Sequence, residues 1–402
     1  MIEARIEKMV GELSAGMNVP LAIELWNGKR YALGEHPTVT LRVPAASAIR
    51  YLAHADLGKL GEAFVEGHID VEGPIADAIR AAESLARRLG GDKKGRLPGL
   101  LWNLHTKKAD SAAIRYHYDV SNDFYALWLD RRMVYSCAYF RTGEESIDQA
   151  QEQKLDHICR KLMLRPGERF LDIGCGWGGL VMHAAERYGV KALGITLSEN
   201  QHALANERIR AAGLQDRCEV RLQDYRDVPG EGEFDKIASI GMFEHVGLKN
   251  LPVYFGAIRR LLAGGGVVLN HGITSVDPES RSVGLGAGEF IGKYVFPHGE
   301  LPHLSLVIRE MAAAGLEVMD SETLRLHYAK TLAQWSARLE ASLEKAREFA
   351  GEKRLRIWRT YLAGCAHAFA RGWVSIQQVL ATKPADPTVN PLPWTREYMY
   401  PR

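Results

Sequence analysis

Arg169-Phe-Leu-Asp172-Ile-Gly174-Cys-Gly176-Trp-Gly178-Gly179 is an apolar run that ends in an acid and a glycine cluster, followed at 180–188 by helical spacing. Glycines there let the backbone turn tightly and approach a ligand beside the free N–H groups of a helix N-terminus. Further apolar runs at 191–196, 218–222, 234–240 and 265–271 alternate with stretches of helical length. That alternation predicts an α/β fold, a parallel Rossmann-like sheet with helices on both faces. A dinucleotide site would need G-x-G-x-x-G and an acid about twenty residues later. Here the spacing is G-x-G-x-G, and the second strand leaves through Gly194-Ile-Thr196-Leu197-Ser198 without an acid, which argues against NAD.

Working outward, 402 residues exceed the usual size of a single core, so two domains are expected. Residues 1–86 read as a small α+β unit: a helical start (Ile2, Ile6, Met9, Val10, Leu13), strand-like runs at 21–26 and 39–43, and helix through Leu52, Leu57, Leu60 and Phe64. Residues 87–115 form a cationic linker (Arg87, Arg88, Lys93, Lys94, Arg96, Lys107, Lys108, Arg115) broken by the apolar Leu97-Pro-Gly-Leu-Leu-Trp102. Residues 116–402 hold the larger domain, with helix again past Leu324 (Leu332, Trp335, Leu339, Leu343) and a Pro-rich tail at 383–402. The net charge of +2 implies no nucleic-acid field. Five scattered cysteines without a C-x-x-C pair fit a reducing cytoplasm and suggest neither zinc nor a redox dithiol. No signal-peptide core opens the chain and no apolar run is long enough to span a bilayer, so any membrane contact is expected at the surface.

Asp172 at a strand tip before G-x-G-x-G resembles motif I of the S-adenosylmethionine methyltransferases. Five further segments are similar to the cyclopropane fatty-acid synthase and mycolic-acid cyclopropane synthase family. They are Tyr116-His-Tyr-Asp119-Val-Ser-Asn-Asp-Phe-Tyr125, Tyr135-Ser-Cys137-Ala-Tyr-Phe140, Thr196-Leu-Ser-Glu-Asn-Gln201, Gly241-Met-Phe-Glu244-His-Val-Gly247 and Ile291-Gly-Lys-Tyr294-Val-Phe296-Pro297. The resemblance implies a class I methyltransferase sheet with helical insertions and a small N-terminal α+β domain, as in the longer members that act on phospholipid. It implies that Tyr135, Ser136, Asp172, Gly174, Gly176, Gly178, Thr196, Leu197, Gln201, Tyr225 and Arg226 bind S-adenosylmethionine, Thr196 and Gln201 replacing the absent acid. Cys137, Glu244, His271, the backbone of Ile273, and Tyr328 match the positions where this family holds a bicarbonate ion.

The implied chemistry is one-carbon transfer to the double bond of an unsaturated phospholipid acyl chain. An isolated alkene is a poor nucleophile, so an electrophilic sulfonium methyl must be aligned with it. The resulting carbocation closes to a cyclopropane ring once a weak base in a dry site removes a proton. No metal is needed. An anionic base beside Glu244 requires that carboxyl to be protonated or paired with a protonated His271, hence a raised Glu244 pKa. Loss of a different proton would give a methyl- or methylene-branched chain instead. A lipid-binding protein that has lost catalysis, or a methyltransferase for nitrogen or oxygen, would not need this cluster. Taken singly, Cys137, His271, Tyr294 and Phe296 also fit plain core packing. The linker has the composition of an interfacial segment and equally that of a solvated helix packed on the catalytic domain, and the expected setting is cytoplasmic, peripheral to the inner face of the membrane. For the N-terminal unit, regulatory, lipid-docking and homodimerising roles are all open.

Overall fold

The computed structural model describes residues 19–53, 56–88, 121–281, 283–284, 286–296, 299–386 and 388–400. The helical start, the linker beyond Arg88, residues 116–120 and Pro297 lie outside the described residues. The N-terminal unit comprises β1 (Leu21–Leu25), β2 (Arg30–Ala32), β3 (Val39–Val43), α1 (Ile49–Ala53), α2 (Leu57–Val65), β4 (Asp70–Glu72) and α3 (Ile75–Arg88). β1 and β3 pair in parallel at the centre, and β2 and β4 close the two edges antiparallel. α2 starts where the Asp56 carboxylate accepts the Lys59 N–H at 3.0 Å, a side-chain N-cap. The expected strand at 21–26 ends at Leu25 and that at 39–43 has the expected bounds; β2 and β4, three residues each, are too short to show a period.

The larger unit runs α4 (Asn122–Ala126), α5 (Ile147–Lys161), β5 (Arg169–Ile173), α6 (Gly179–Tyr188), β6 (Lys191–Thr196), α7 (Glu199–Ala211), β7 (Cys218–Leu222), β8 (Phe234–Ile240), α8 (Leu251–Leu261), β9 (Leu262–Ser275), α9 (Ala287–Tyr294), α10 (Leu304–Ala313), β10 (Glu317–Thr323), α11 (Arg325–Glu340), α12 (Leu343–Arg371) and β11 (Val374–Thr382). Its seven-stranded sheet has the order β10-β11-β9-β8-β5-β6-β7. The five strands from β9 to β7 are parallel, and β11 enters between β9 and β10 antiparallel to both. The sheet is therefore mixed at one end, where only parallel pairing was anticipated. The order in which successive strands are added reverses between β5 and β8, the switch point at which open α/β sheets leave a crevice for ligands.

The Pro-rich tail docks: Arg396 donates to Asp320 at 2.6 Å, and the Met399 carbonyl lies 3.3 Å from His157 Nδ1. Beside it, Glu322 Oε2 accepts from Lys161 Nζ at 2.5 Å and faces His157 Nε2 at 2.9 Å. Burial pushes Glu322 up, but the His157 hydrogen bond and the Lys161 charge overcome it and hold the carboxyl at about 2. Lys161 is 1% exposed and Glu322 23%. Breaking a fully buried pair costs several kcal/mol, and partial exposure of Glu322 reduces that, so Glu322→Gln is expected to cost about 2 kcal/mol in a urea melt at neutral pH. The wild-type contribution should disappear as pH falls from 4.5, the ordinary value, through about 2.

Candidate active site

At the switch point Gly174, Gly176 and Gly178 take φ of 81°, 55° and 80°, a region that L side chains avoid. The Gly174 and Cys175 N–H groups both donate to the Ile195 carbonyl at 3.0 Å, which ties the loop to the tip of β6. A Cβ on Gly174 would press on Met242 at 3.0 Å, whereas one on Gly176 would meet nothing within 4 Å, so the loop's open side is at Gly176. Above it lies a hollow of about 130 Å³. Tyr135, Ser136, Asp172, Gly174, Gly176, Thr196, Leu197, Gln201, Tyr225 and Arg226 line it. Gly178 stands back from it as the N-cap of α6.

Thr196 Oγ1 donates to Gln201 Oε1 at 2.7 Å, so the two residues at the end of β6 act as one polar unit. Arg226 is held by Asp224 through two bonds, 2.9 and 2.7 Å, which neutralise its charge at the hollow. Asp172 Oδ1 finds no hydrogen-bond partner among the described residues. Burial pushes its carboxyl to about 7 against the pull of Lys154. Lys154, itself buried on α5, donates to Ser136 Oγ at 2.9 Å, and burial lowers it to about 8.

Tyr135, Ser136, Gly241 and His245 are shared with a second cavity of about 450 Å³. Cys137, Glu244, His271, Ile273 and Tyr328 all face it. They come from the loop before α5, the turn after β8, strand β9 and helix α11. Glu244 Oε1 accepts the Ile273 N–H at 2.7 Å, while Oε2, buried, has no partner among the described residues. Burial raises this carboxyl to about 7, the expected direction. His271 is pushed well below its ordinary range by burial, first, and by the Lys154 and Lys161 charges, so of the two anticipated arrangements the structure has the neutral one. The Gln378 amide nitrogen lies 3.2 Å from His271 Nδ1 and donates to it, which places the imidazole proton on Nε2. That Nε2 has no partner among the described residues. The Cys137 thiol donates to the Ala138 carbonyl at 3.3 Å, and burial keeps it protonated, so it is no nucleophile. The Tyr328 ring packs on Phe369 at 4.7 Å between centroids.

Glu244 Oε2, protonated below about pH 7, and His271 Nε2 are two buried atoms without hydrogen-bond partners among the described residues, and both residues line the apolar cavity. That arrangement fits a small anion. Three contributors escaped sequence reasoning. Gln378 stands opposite His271 across β11 and β9, a register visible only once β11 is found. Gly272 admits the Phe243 ring, where a Cβ would overlap it. Lys154 shares the buried face of α5 with Ala150, Leu155 and Ile158, a cation on an apolar stripe that could have flagged it.

The sequence profile described as mycolic acid cyclopropane synthetase matches residues 105–379. The chain belongs to this family. Residues 10–93 match a separate domain of unknown function, DUF7884. A probable fatty acid methyltransferase of Pseudomonas putida is 52% identical over 96% of this chain and 97% of its own. Cyclopropane-fatty-acyl-phospholipid synthase of Escherichia coli K12 is 37% identical, covering 70% of this chain and 71% of that protein. The structure of mycolic acid cyclopropane synthase CmaA1 complexed with SAH and CTAB aligns at a TM-score of 0.64 with 36% identity, covering 68% of this chain and 98% of that one. Members of this family thus share the class I methyltransferase sheet seen here.

Proposed function

We propose that this protein transfers a one-carbon unit from S-adenosylmethionine to the cis double bond of an unsaturated acyl chain in a membrane phospholipid, forming a cyclopropane ring. The observation that carries the reading is the junction of the two cavities. The first bears Asp172 at the strand tip before the glycine loop; the other is largely apolar and is lined by Glu244, next in sequence to His245 of the shared wall, and by His271. The relative CmaA1, solved in complex with SAH and CTAB, combines a product of that cofactor with a cationic amphiphile, which supports the same pairing of ligands.

The free Asp172 oxygen suits the ammonium of an amino-acid ligand, and the Thr196–Gln201 pair offers polar contacts where an acid is missing. When bound, S-adenosylmethionine supplies an electrophilic methyl on sulfur. Glu244 and His271 would hold bicarbonate, a weak base suited to a dry site, through their two unpartnered atoms. Tyr328 and Phe369 give the cavity aromatic faces that favour positive charge developing on the chain. We place the enzyme at the cytoplasmic face of the membrane, where its lipid is; among the described residues no helix is long and apolar enough to cross it.

The P. putida relative's printed name favours a second reading, in which the chain is methylated without ring closure. Mass spectrometry after incubation with labelled S-adenosylmethionine and mono-unsaturated phospholipid vesicles separates the two. A gain of one CH₂ that resists hydrogenation is expected. The same gain on a chain that still takes up hydrogen would establish the branched product, and no gain on any unsaturated lipid would refute both.

A further inference from the structure

The cavity that begins at Glu244 and His271 does not end in the catalytic unit. Its wall continues past Phe290 of α9 into the N-terminal unit, where Leu21, Val39, Ile69, Ile75 and Leu85 line it from β1, β3, the approach to β4, and α3. Every described residue that the N-terminal unit gives to this wall is apolar. The passage between the units is built closely. Gly61 on α2 lies against the Phe290 ring, which a Cβ there would approach to 3.0 Å, and the Gly58 position closes on the Gly286 backbone. Ion pairs and hydrogen bonds fasten the seam: Lys293 to Glu62 at 2.5 Å, Tyr294 to Glu66 at 2.9 Å, and His367 to Glu83 at 2.7 Å.

Resting on the proposed lipid reading, we infer that the interior of the N-terminal unit is the far end of the acyl site and receives the methyl-terminal segment of the chain, beyond the reacting carbons. A wall without a hydrogen-bonding side chain accommodates hydrocarbon and penalises an ester or carboxylate. The end of the chain that carries the ester stays with the headgroup, so the methyl end is the part free to enter. The N-terminal unit then sets how much chain can lie past the double bond, and a domain that matches a family of unknown function gains a ligand class.

The decisive measurement uses the full chain and vesicles of a mono-unsaturated phosphatidylglycerol bearing a photoreactive diazirine at the terminal carbon. After irradiation, cross-linked peptides from 21–85 are expected. Cross-links confined to 121–380, or none at all, would overturn the inference, whether or not the enzyme methylates that lipid. A kinetic arm tests the length rule. Ala78→Phe and Ala82→Phe, on the α3 face that lines the cavity, should lower kcat/KM by about tenfold or more for acyl chains with long segments beyond the double bond. Chains with short segments should react as in the wild type. An equal loss for all lengths, or no loss, would contradict the assignment, whereas failure of the wild type on every lipid would refute the proposed reaction and leave the cross-linking result standing by itself.

Discussion

Glu244→Ala is expected to lower turnover about a thousandfold with little change in the KM for S-adenosylmethionine. The split follows from geometry. Glu244 faces the apolar cavity and is absent from the wall of the hollow by the glycine loop, so a cofactor held in that hollow would lose no contact. What disappears is a donor at the junction and the acceptor of the Ile273 N–H, whose bond at 2.7 Å fixes the position of the carboxyl. A variant with raised KM and unchanged kcat would place Glu244 in binding and sink the proposed role. Glu244→Gln sharpens the test, because an amide imitates the neutral acid and cannot ionise. Since burial lifts the wild-type carboxyl to about 7, its protonated fraction falls as pH rises through that value, and an anion beside it is then repelled. Turnover of the wild type should therefore decline above about pH 7 in a way that the glutamine variant does not share. Stability has the same sign. Between 4.5, the ordinary value, and about 7, the folded protein holds a proton that the unfolded chain has released, so stability is full below that window and falls as pH rises through it. Asp172, raised from 3.8 to about 7, adds a slope of the same sign, so Glu244→Gln should lessen the pH dependence of the melting temperature without abolishing it.

The strands that build the glycine loop were legible because central parallel strands buried on both faces read as short apolar runs, whereas the edge strand β7, Cys-Glu-Val-Arg-Leu, alternates buried and exposed residues. Four of the five have the expected bounds, and β9 extends from 262 to 275 around the expected 265–271. β10 and β11 were not legible. Glu317–Thr323 carries three acids and exposes much of one face, and Val374–Thr382 has Gln377 and Gln378 at its middle, so neither reads as an apolar run. That omission hid Gln378 and with it the device that sets the His271 tautomer. Ordered motifs brought Cys137, Glu244, His271 and Tyr328 to one list, but not the reason for their protonation states, which is burial in three dimensions. Nor could the sequence show the Ile273 N–H bonded to the Glu244 carboxyl instead of facing the cavity unengaged. The long apolar channel was invisible for a related cause: Leu21, Ile75 and Leu85 look like any core positions, and only their arrangement reveals that they surround a space.

Gly272→Ala should be among the most damaging small substitutions in the chain. Gly272 sits in β9 between His271 and Ile273, and a Cβ there would overlap the Phe243 ring and come within 3.1 Å of Glu244 Oε1. Its backbone φ is not in the left-handed region, so the requirement is one of space. Phe243 is 2% exposed and packed among Tyr254, Val246 and Leu251, so the ring has little room to retreat. Overpacking of this kind costs typically 1–3 kcal/mol, and a rigid ring against sheet backbone belongs at the upper end, about 3 kcal/mol by urea denaturation. Turnover should fall about a hundredfold even in protein that remains folded, because displacing Phe243 displaces the next residue, Glu244. A double-mutant cycle checks the cause. Phe243→Ala leaves a cavity and is destabilising alone, but combined with Gly272→Ala it removes the overlap, so the two losses should add to less than their sum. Strict additivity would mean that the methyl is accommodated elsewhere, and that the close approach of β9 to the Glu244 turn does not hold the carboxyl in place.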